Sequence, residues 1–477
     1  MKNWINLQKL APATDALKKN FDETLNRTLD RSVRLAVTGL SRSGKTVFIT
    51  SLVHQLIHGM NNDHLPFFEL VSTERLHGVK QQPQPDLHIP TFRYDLSVES
   101  LMADPPQWPE PTSSISEIRL AIRYRPKNKL LRRFSPINTL YLDIIDYPGE
   151  WLLDLPLLDM SYEQWSATII QLCDQQPRLA LSKDWRNFMD GIDLLAPAKE
   201  TELRQASELY TAFLHRCNEK AYGLTQLQPG RFTMPGDLKG APLLEFCPLL
   251  RIPKHNTKTN DSFYLTMKQR FESYKEHVVR KFYKEHFCQF DRQIVLVDVL
   301  RAFNTGYDTF TDMQAAIELV LKSFNYGKSG FFKRLFNPNI DKLLFAATKA
   351  DHVTPNQLPN LERFLVQMLE KSNNNIMFSG VETETVALSA LKCTQAVNAE
   401  FQGQAVSCIK GIPKDDDKAM ALFPGEVPVD IPMAEDWVQE RFNFIEFRPP
   451  APNQWLQNRL PHMRMDRALQ FLLGDKF

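Results

Sequence analysis

The sequence predicts an α/β protein: a mainly parallel sheet with flanking helices, carrying a mostly α-helical insertion. Three observations lead there. A β-branched run, a glycine-rich turn and an apolar helical pattern follow one another over residues 33–59. Strand-sized apolar runs at 292–300, 342–348 and 381–391 alternate with helical patterns, the arrangement that builds a parallel sheet. Finally, roughly 200 residues separate Asp146 from Thr348, where one strand–helix unit needs about 30.

Taken in order, residues 1–31 read as a helix, because Leu17, Phe21, Leu25 and Leu29 form an apolar stripe. VRLAV (33–37) is a short strand, and TVFITSLVHQLIHG (46–59) has helical spacing and ends on Gly59. Residues 60–115, rich in Pro, His, Asp and Gln, read as a long loop with little regular structure. SEIRLAIRYR (116–125) alternates polar and apolar, as a half-buried strand does, and pairs as a hairpin with NTLYLDIID (138–146). Helical candidates then dominate, at Tyr162 to Asp174, Lys199 to Ala221 and Asp261 to Phe290, broken by a Pro- and Gly-marked loop from Gln228 to Pro253. Beyond them come the strand RQIVLVDVL (292–300), a helix from Asp312 to Asn325, the strand KLLFAAT (342–348), a helix from Pro359 to Lys371 and the strand VETETVALSAL (381–391). The tail holds a proline-rich loop, an edge strand FNFIEF and a final helix MDRALQFLLG.

Composition narrows the function classes. The formal net charge is +1, so no global field recruits nucleic acid or an anionic membrane, and no nucleic-acid partner is expected. Cysteines 173, 217, 247, 288, 393 and 408 form no CxxC pair and no zinc-spaced cluster, and read as reduced thiols in a cytoplasmic protein. The opening MKNWINLQKLAPATDALKK lacks the apolar core of a signal peptide, and no window reaches the roughly 20 apolar residues of a membrane span. Peripheral association stays open, and FFKRLF (331–336) mixes aromatics with cations as a docking segment does.

Four short segments carry the chemistry, each at a predicted strand end. GLSRSGKT (39–46) fits GxxxxGKS/T, between a strand and a helix. Its glycines let the backbone curl around phosphate oxygens. The amides of Ser41, Arg42, Ser43, Gly44, Lys45, Thr46 and Val47, with the helix N-terminus, favour an anion. Lys45 reaches β/γ phosphates and the Thr46 hydroxyl ligates Mg²⁺. In DYPGEW (146–151), Asp146 at a strand end holds Mg²⁺ through water, and Gly149 turns its N–H toward a third phosphate with no side chain in the way. In TKAD (348–351), the Asp351 carboxylate accepts two hydrogen bonds from guanine, a pair adenine does not offer; the Lys349 stem lies against the base and Thr348 braces the phosphate loop. In LSAL (388–391), the Ser389–Ala390–Leu391 turn presents the Ala390 N–H to the base carbonyl oxygen. Ligands bind outside the carboxyl ends of strands in open α/β sheets, and independent turns would not sort themselves this way. The implied ligands are GTP or GDP with Mg²⁺.

These segments, in this order, resemble the Ras-like GTPases of the P-loop NTPase class. WPEPTSSISEIRLAI, DYPGEWLLDLPLL, RQIVLVDVL, LFAATKADHV and RMDRALQFLLGDKF resemble the bacterial YcjX family of stress-associated P-loop proteins through nearly the whole chain. The resemblance implies a cytoplasmic GTP-binding protein with a Ras-like domain and a helical insertion, a link to envelope stress near the inner membrane, and a membrane-protein partner of the YcjF type. The boundaries become an N-terminal helix (1–31), a first part of the GTP-binding domain (32–151), a helical insertion (152–291), and a second part with a C-terminal extension (292–477).

Three positions depart from common GTPases. Thr348 opens the base motif where Asn is commoner. Glu150 follows DxxG where many members carry a water-orienting glutamine; it can polarise water, but its charge faces phosphate oxygens, so unaided hydrolysis is expected to be slow. The threonine that closes over Mg²⁺ from the first switch is not fixed by a motif: Thr112 is the candidate and Thr91 the runner-up. The expectation is a slow GTPase switch, with Lys45, Glu150 and Thr112 as its catalytic residues. Two alternatives stand beside it, a nucleotide-bound interaction module without appreciable turnover and an ATP-hydrolysing P-loop protein.

Overall fold

In the computed structural model, residues 31–477 are described except 41, 60–63, 112–113, 254–260, 325–339, 378–380, 402–403, 439–441, 443 and 456–458. The helix expected over 1–31, Ser41, Thr112 and the FFKRLF segment therefore lie outside the described residues, apart from Arg31.

Seven strands form the central sheet: β1 (Arg31–Gly39), β2 (Leu76–Gln82), β3 (Ser116–Tyr124), β4 (Asn138–Asp146), β5 (Arg292–Val297), β6 (Lys342–Ala347) and β7 (Glu382–Ala387), in the order β2-β3-β4-β1-β5-β6-β7. β4, β1, β5, β6 and β7 run parallel. β3 is antiparallel to β4, and β2 to β3. β5 is buried along its whole length, as a strand covered on both faces must be.

Side chains alternate across the sheet, and each face has its own core. Leu35, Val37, Ile144, Ile294 and Leu344 meet helix α1 (Lys45–Ile57) on one face. A helix late in the chain, Met465–Leu473, packs on this same face. Arg292, fully buried at the start of β5, bonds the Leu472 carbonyl (3.1 Å) and the Asp475 carboxylate (2.7 Å) beside it. On the other face Ala36, Ile145, Val295, Val297 and Phe345 join a single core with the helical insertion.

That insertion is helical as the pattern predicted, with helices at Tyr162–Cys173, Glu200–Asn218 and Phe263–Tyr274. The first begins with a reciprocal cap between Ser161 and Gln164. Its centre is aromatic: Trp165 stacks on Phe271 and meets Phe246 edge-on, and Tyr210 packs on Trp185. Tyr147 and Trp151, just after β4, touch Phe282, so the insertion is fused to the sheet.

Two regions differ from the pattern-based expectation. The stretch 60–115 contains β2 and a helix, Tyr94–Met102. β2 escaped notice because an edge strand is held by backbone pairing with β3 and buries little beyond Leu76. After β7, strands β8 (Gln395–Phe401), β9 (Gln404–Gly411) and β10 (Met420–Leu422) make a small antiparallel sheet that sequence reading did not separate from loop. Among the described residues, FNFIEF contributes a single bridge, Phe447 to Pro413.

Candidate functional site

β1 lies between β4 and β5, where the chain order across the sheet reverses, and this switch point is where open α/β sheets leave a crevice. Gly39 ends β1 there. A Cβ on it would fall 2.6 Å from the Leu296 carbonyl oxygen, so glycine is required. The turn that follows is closed by the Ser43 N–H on the Leu40 carbonyl (3.1 Å), with Arg42 and Gly44 in the left-handed region. α1 then starts at Lys45 with no side-chain cap and no acidic residue in its first turn. Its first amides and the positive end of its dipole are thus left for an anion. Lys45, Thr46 and Val47 are half-buried, and the Ser43 hydroxyl is buried without a hydrogen-bond partner.

Asp146 ends β4, fully buried, in register with Val37 on one side and Ser116 on the other. By alternation from Leu142 and Ile144 it falls on the α1 face, the face of Thr46. A hydroxyl and a carboxylate are hard oxygen donors of the kind Mg²⁺ takes with waters and phosphate. Gly149 sits against the first glycine of the phosphate loop, and a Cβ on it would overlap the Gly39 carbonyl. Glu150 is buried, and neither carboxylate oxygen has a hydrogen-bond partner. Thr91 is exposed. Its hydroxyl bonds Gln84 (3.0 Å), and its backbone bridges Glu117, one residue along from the Ser116–Asp146 pair.

From Gly149 the chain makes successive 3₁₀ turns to Asp159, nearly all buried under the insertion. Asp154 accepts the Gly230 N–H (2.9 Å) and the Tyr274 hydroxyl (2.5 Å). Burial pushes its pKa up to about 7, against the pull of those donors. The Trp151 indole N–H bonds the Met234 carbonyl (3.1 Å), and the Arg231 guanidinium lies 3.3 Å over the indole. A Cβ on Gly230 would overlap the Glu150 carbonyl.

At the base end, the Thr348 hydroxyl bonds the Val297 carbonyl on β5 (3.4 Å) instead of the phosphate loop. Lys349 follows in the left-handed region, with its ammonium 2.6 Å from Asp298 and 3.6 Å from Glu446. Burial works to lower its pKa, but the charge and hydrogen bond of Asp298 together with the Glu446 charge outweigh this and raise it. Asp351 is buried. Its Oδ1 accepts the Ser389 hydroxyl, and its Oδ2 accepts the amides of Cys393 (2.6 Å) and Thr394 (3.1 Å). An ionised carboxylate has about four acceptor positions, so here the chain's own 389–394 turn takes most of them. Ala390 is half-buried in that turn and Leu391 buried. Asp351, His352 and Cys393 bring their donor atoms within 4.8 Å of one another. Burial raises the Cys393 pKa and its thiol donates to the Leu391 carbonyl, while both Asp351 oxygens accept from the 389–394 turn.

A cavity of about 740 Å³ opens beside the phosphate loop, between Arg42, Lys349, Asp298, Arg301, Glu446 and Lys220. It is of the size that holds small ligands, and it joins the phosphate loop, the base motif, the insertion and the C-terminal extension. Asp298 and Glu446 are the site residues that motif reading missed. Asp298 had a detectable signal, since it directly follows β5 as the other motif residues follow their strands. Glu446 had none, being brought in by the fold alone.

The fold and the turn define a P-loop protein of the α/β class. The chain belongs to the YcjX-like family, DUF463, whose model matches residues 33–477. It is 44% identical over 471 residues to the "Ras-like GTPase YcjX" of Escherichia coli, covering 96% of this chain and 99% of that protein. It is 42% identical over 494 residues to the protein of the same name from Shewanella oneidensis, covering 99% of each. No helix among the described residues is long and apolar enough to cross a membrane.

Proposed function

We propose that this chain binds guanine nucleotide with Mg²⁺ at the Gly39–Thr46 turn and acts as a slow GTPase switch. The observation that carries the reading is the uncapped start of α1, with Gly149 closed onto Gly39: an anion site with a glycine hinge at its rim. The names of the two relatives supply the nucleotide. Lys45 and the loop amides of Ser41 to Val47 take the phosphates; Thr46 and Asp146, with Thr112 or Thr91 from the first switch, hold Mg²⁺, which when bound neutralises phosphate charge. The Gly149 N–H meets the third phosphate. At the other end the Lys349 stem lies along the base, and Asp351 reads guanine once the Cys393–Thr394 amides yield Oδ2, with Ser389, Ala390 and Leu391 forming the turn around it. From the sequence resemblance alone we infer as well a cytoplasmic setting near the inner membrane, a role in stress response and a membrane-protein partner of the YcjF type.

Glu150 sets the rate in this reading. A buried carboxylate without a partner can polarise water only by turning toward the phosphates, where like charge opposes it. The same observation favours a second reading, a nucleotide-bound module without appreciable turnover. Gentle purification followed by mass identification of the retained nucleotide tests the ligand: recovery of adenine nucleotide, or of none, rejects the guanine assignment. Single-turnover hydrolysis by the parent, Glu150→Gln and Glu150→Ala separates the two readings. Phosphate release that depends on Mg²⁺ in the parent establishes the switch, and no release from any of the three establishes the module.

A further inference from the structure

The C-terminal extension reaches the base motif through two adjacent residues. Residues 412–414 and 446–448 pair through the Lys414 N–H on the Glu446 carbonyl (2.8 Å) and the Arg448 N–H on the Ile412 carbonyl (2.9 Å). This pairing sets Phe447 edge-on against the His352 ring, centroids 5.0 Å apart, one residue beyond Asp351. The ring also closes over Gly411, where a Cβ would lie 2.7 Å from Phe447 Cδ1. The neighbouring Glu446 side chain then points at Lys349, with Lys414 on its other oxygen (3.0 Å).

We propose that Glu446 is a positioning residue for the base-side lysine: with Asp298 it brackets the Lys349 ammonium and fixes the stem on which a guanine base rests, so that nucleotide retention depends on the docked C-terminal extension. The inference rests on the guanine-nucleotide reading above. A lysine stem has four rotatable bonds and keeps little preferred direction unless its head is held. Asp298 holds the head from β5, but a single carboxylate leaves the ammonium free to pivot about it. Glu446 supplies the second point, and two points define the line of the stem. Its charge is dependable: burial works to raise the Glu446 pKa, but Lys349 and Lys414 outweigh it and bring it down to about 2. The extension is docked by other contacts as well, Asn304 exchanging hydrogen bonds with Phe444, so a change at Glu446 alters its hold on Lys349 without undocking the segment.

The test is a double-mutant cycle on the full chain, read as the dissociation rate of a fluorescent GDP analogue with Mg²⁺. Glu446→Gln is expected to speed release about two- to fivefold, the range of a partly exposed ion pair, and Glu446→Asp to restore most of the parental rate. In a Lys349→Met background, Glu446→Gln should change nothing further. Thermal melting of each variant checks that the fold is retained. Parental release in Glu446→Gln overturns the proposal, and so does an equal acceleration in the Lys349→Met background, which would make Glu446 act independently of the lysine. In both cases the parent still holds GDP, so the guanine-nucleotide reading survives. A parent that fails to hold guanine nucleotide overturns both.

Discussion

The two ends of the candidate nucleotide site are joined to the rest of the chain by different kinds of bond. At the phosphate end the segment after Gly149 is sunk into the insertion. Asp154 is held by Gly230 and Tyr274, Trp151 by Met234 and Arg231, and almost nothing is exposed. At the base end Lys349 is held by charge, between Asp298 and a Glu446 that is over one-third exposed. A close-packed interior does not deform continuously. A movement of Gly149 toward a third phosphate must therefore carry insertion residues with it, whereas the base end can shift by exchanging ion partners. On the proposed function, the phosphate end would transmit and the base end retain.

The largest expected effect falls on both ends at once. Lys45→Ala should weaken GTP binding about 100-fold or more, the loss of a charge-assisted contact to phosphate. Isothermal titration checks it, and unchanged affinity would remove the premise of the comparison. Next is Gly230→Ala, which sets a methyl group into the Glu150 carbonyl. Overpacking of this kind costs roughly 1–3 kcal/mol, so denaturant unfolding should move to lower concentration. A variant as stable as the parent would mean that insertion and DxxG segment are not rigidly joined.

A smaller effect tests the same joint through pH. Asp154 titrates at about 7 in the folded protein and at about 3.9 in an unfolded chain. Between those values the folded state holds a proton that the unfolded state releases, so stability falls as pH rises from about 4 to about 7. Asp154→Asn should flatten that part of the stability profile, and an unchanged slope would place the titration elsewhere. The smallest effect concerns salt. Release of GDP should quicken modestly between 50 and 500 mM salt as the partly exposed Lys349–Glu446 pair is screened, while the Trp151 contribution to fluorescence, taken as the parent minus Trp151→Phe, stays constant. A salt-sensitive Trp151 signal would erase the distinction.

Much of the candidate site was placed at strand ends by sequence reading, because the chemistry proposed for it demands fixed spacing. The phosphate loop, Asp146, Gly149, Asp351 and Ser389 each sit where a strand ends, and strand ends announce themselves as apolar runs. Asp351 and Ser389 are in direct contact across 38 positions, as two motifs serving one ligand would be. What could not be read has no local signature. The Thr348 hydroxyl meets the Val297 carbonyl because β6 pairs with β5 up to Val297–Ala347, a placement set by strand register. The Gly230–Glu150 contact joins distant residues through backbone atoms, which carry no side-chain signal. β2 buries little beyond Leu76 and β9 buries only its end, at Cys408, Ile409 and Gly411, so their order, like that of β8, comes largely from backbone pairing and not from an alternating buried stripe.

The place of β1 in the sheet has a consequence for biosynthesis. One flanking strand, β4, is translated soon after it, but the other, β5, begins at Arg292, roughly 250 residues after Gly39. At about 5–20 residues per second, the ribosome needs on the order of ten to fifty seconds to deliver it. Through that interval the nascent phosphate loop has an open seam on one side. On the proposed reading, nucleotide capture would wait for the second half of the polypeptide, and a fragment ending within the insertion would lack the strand that closes the site.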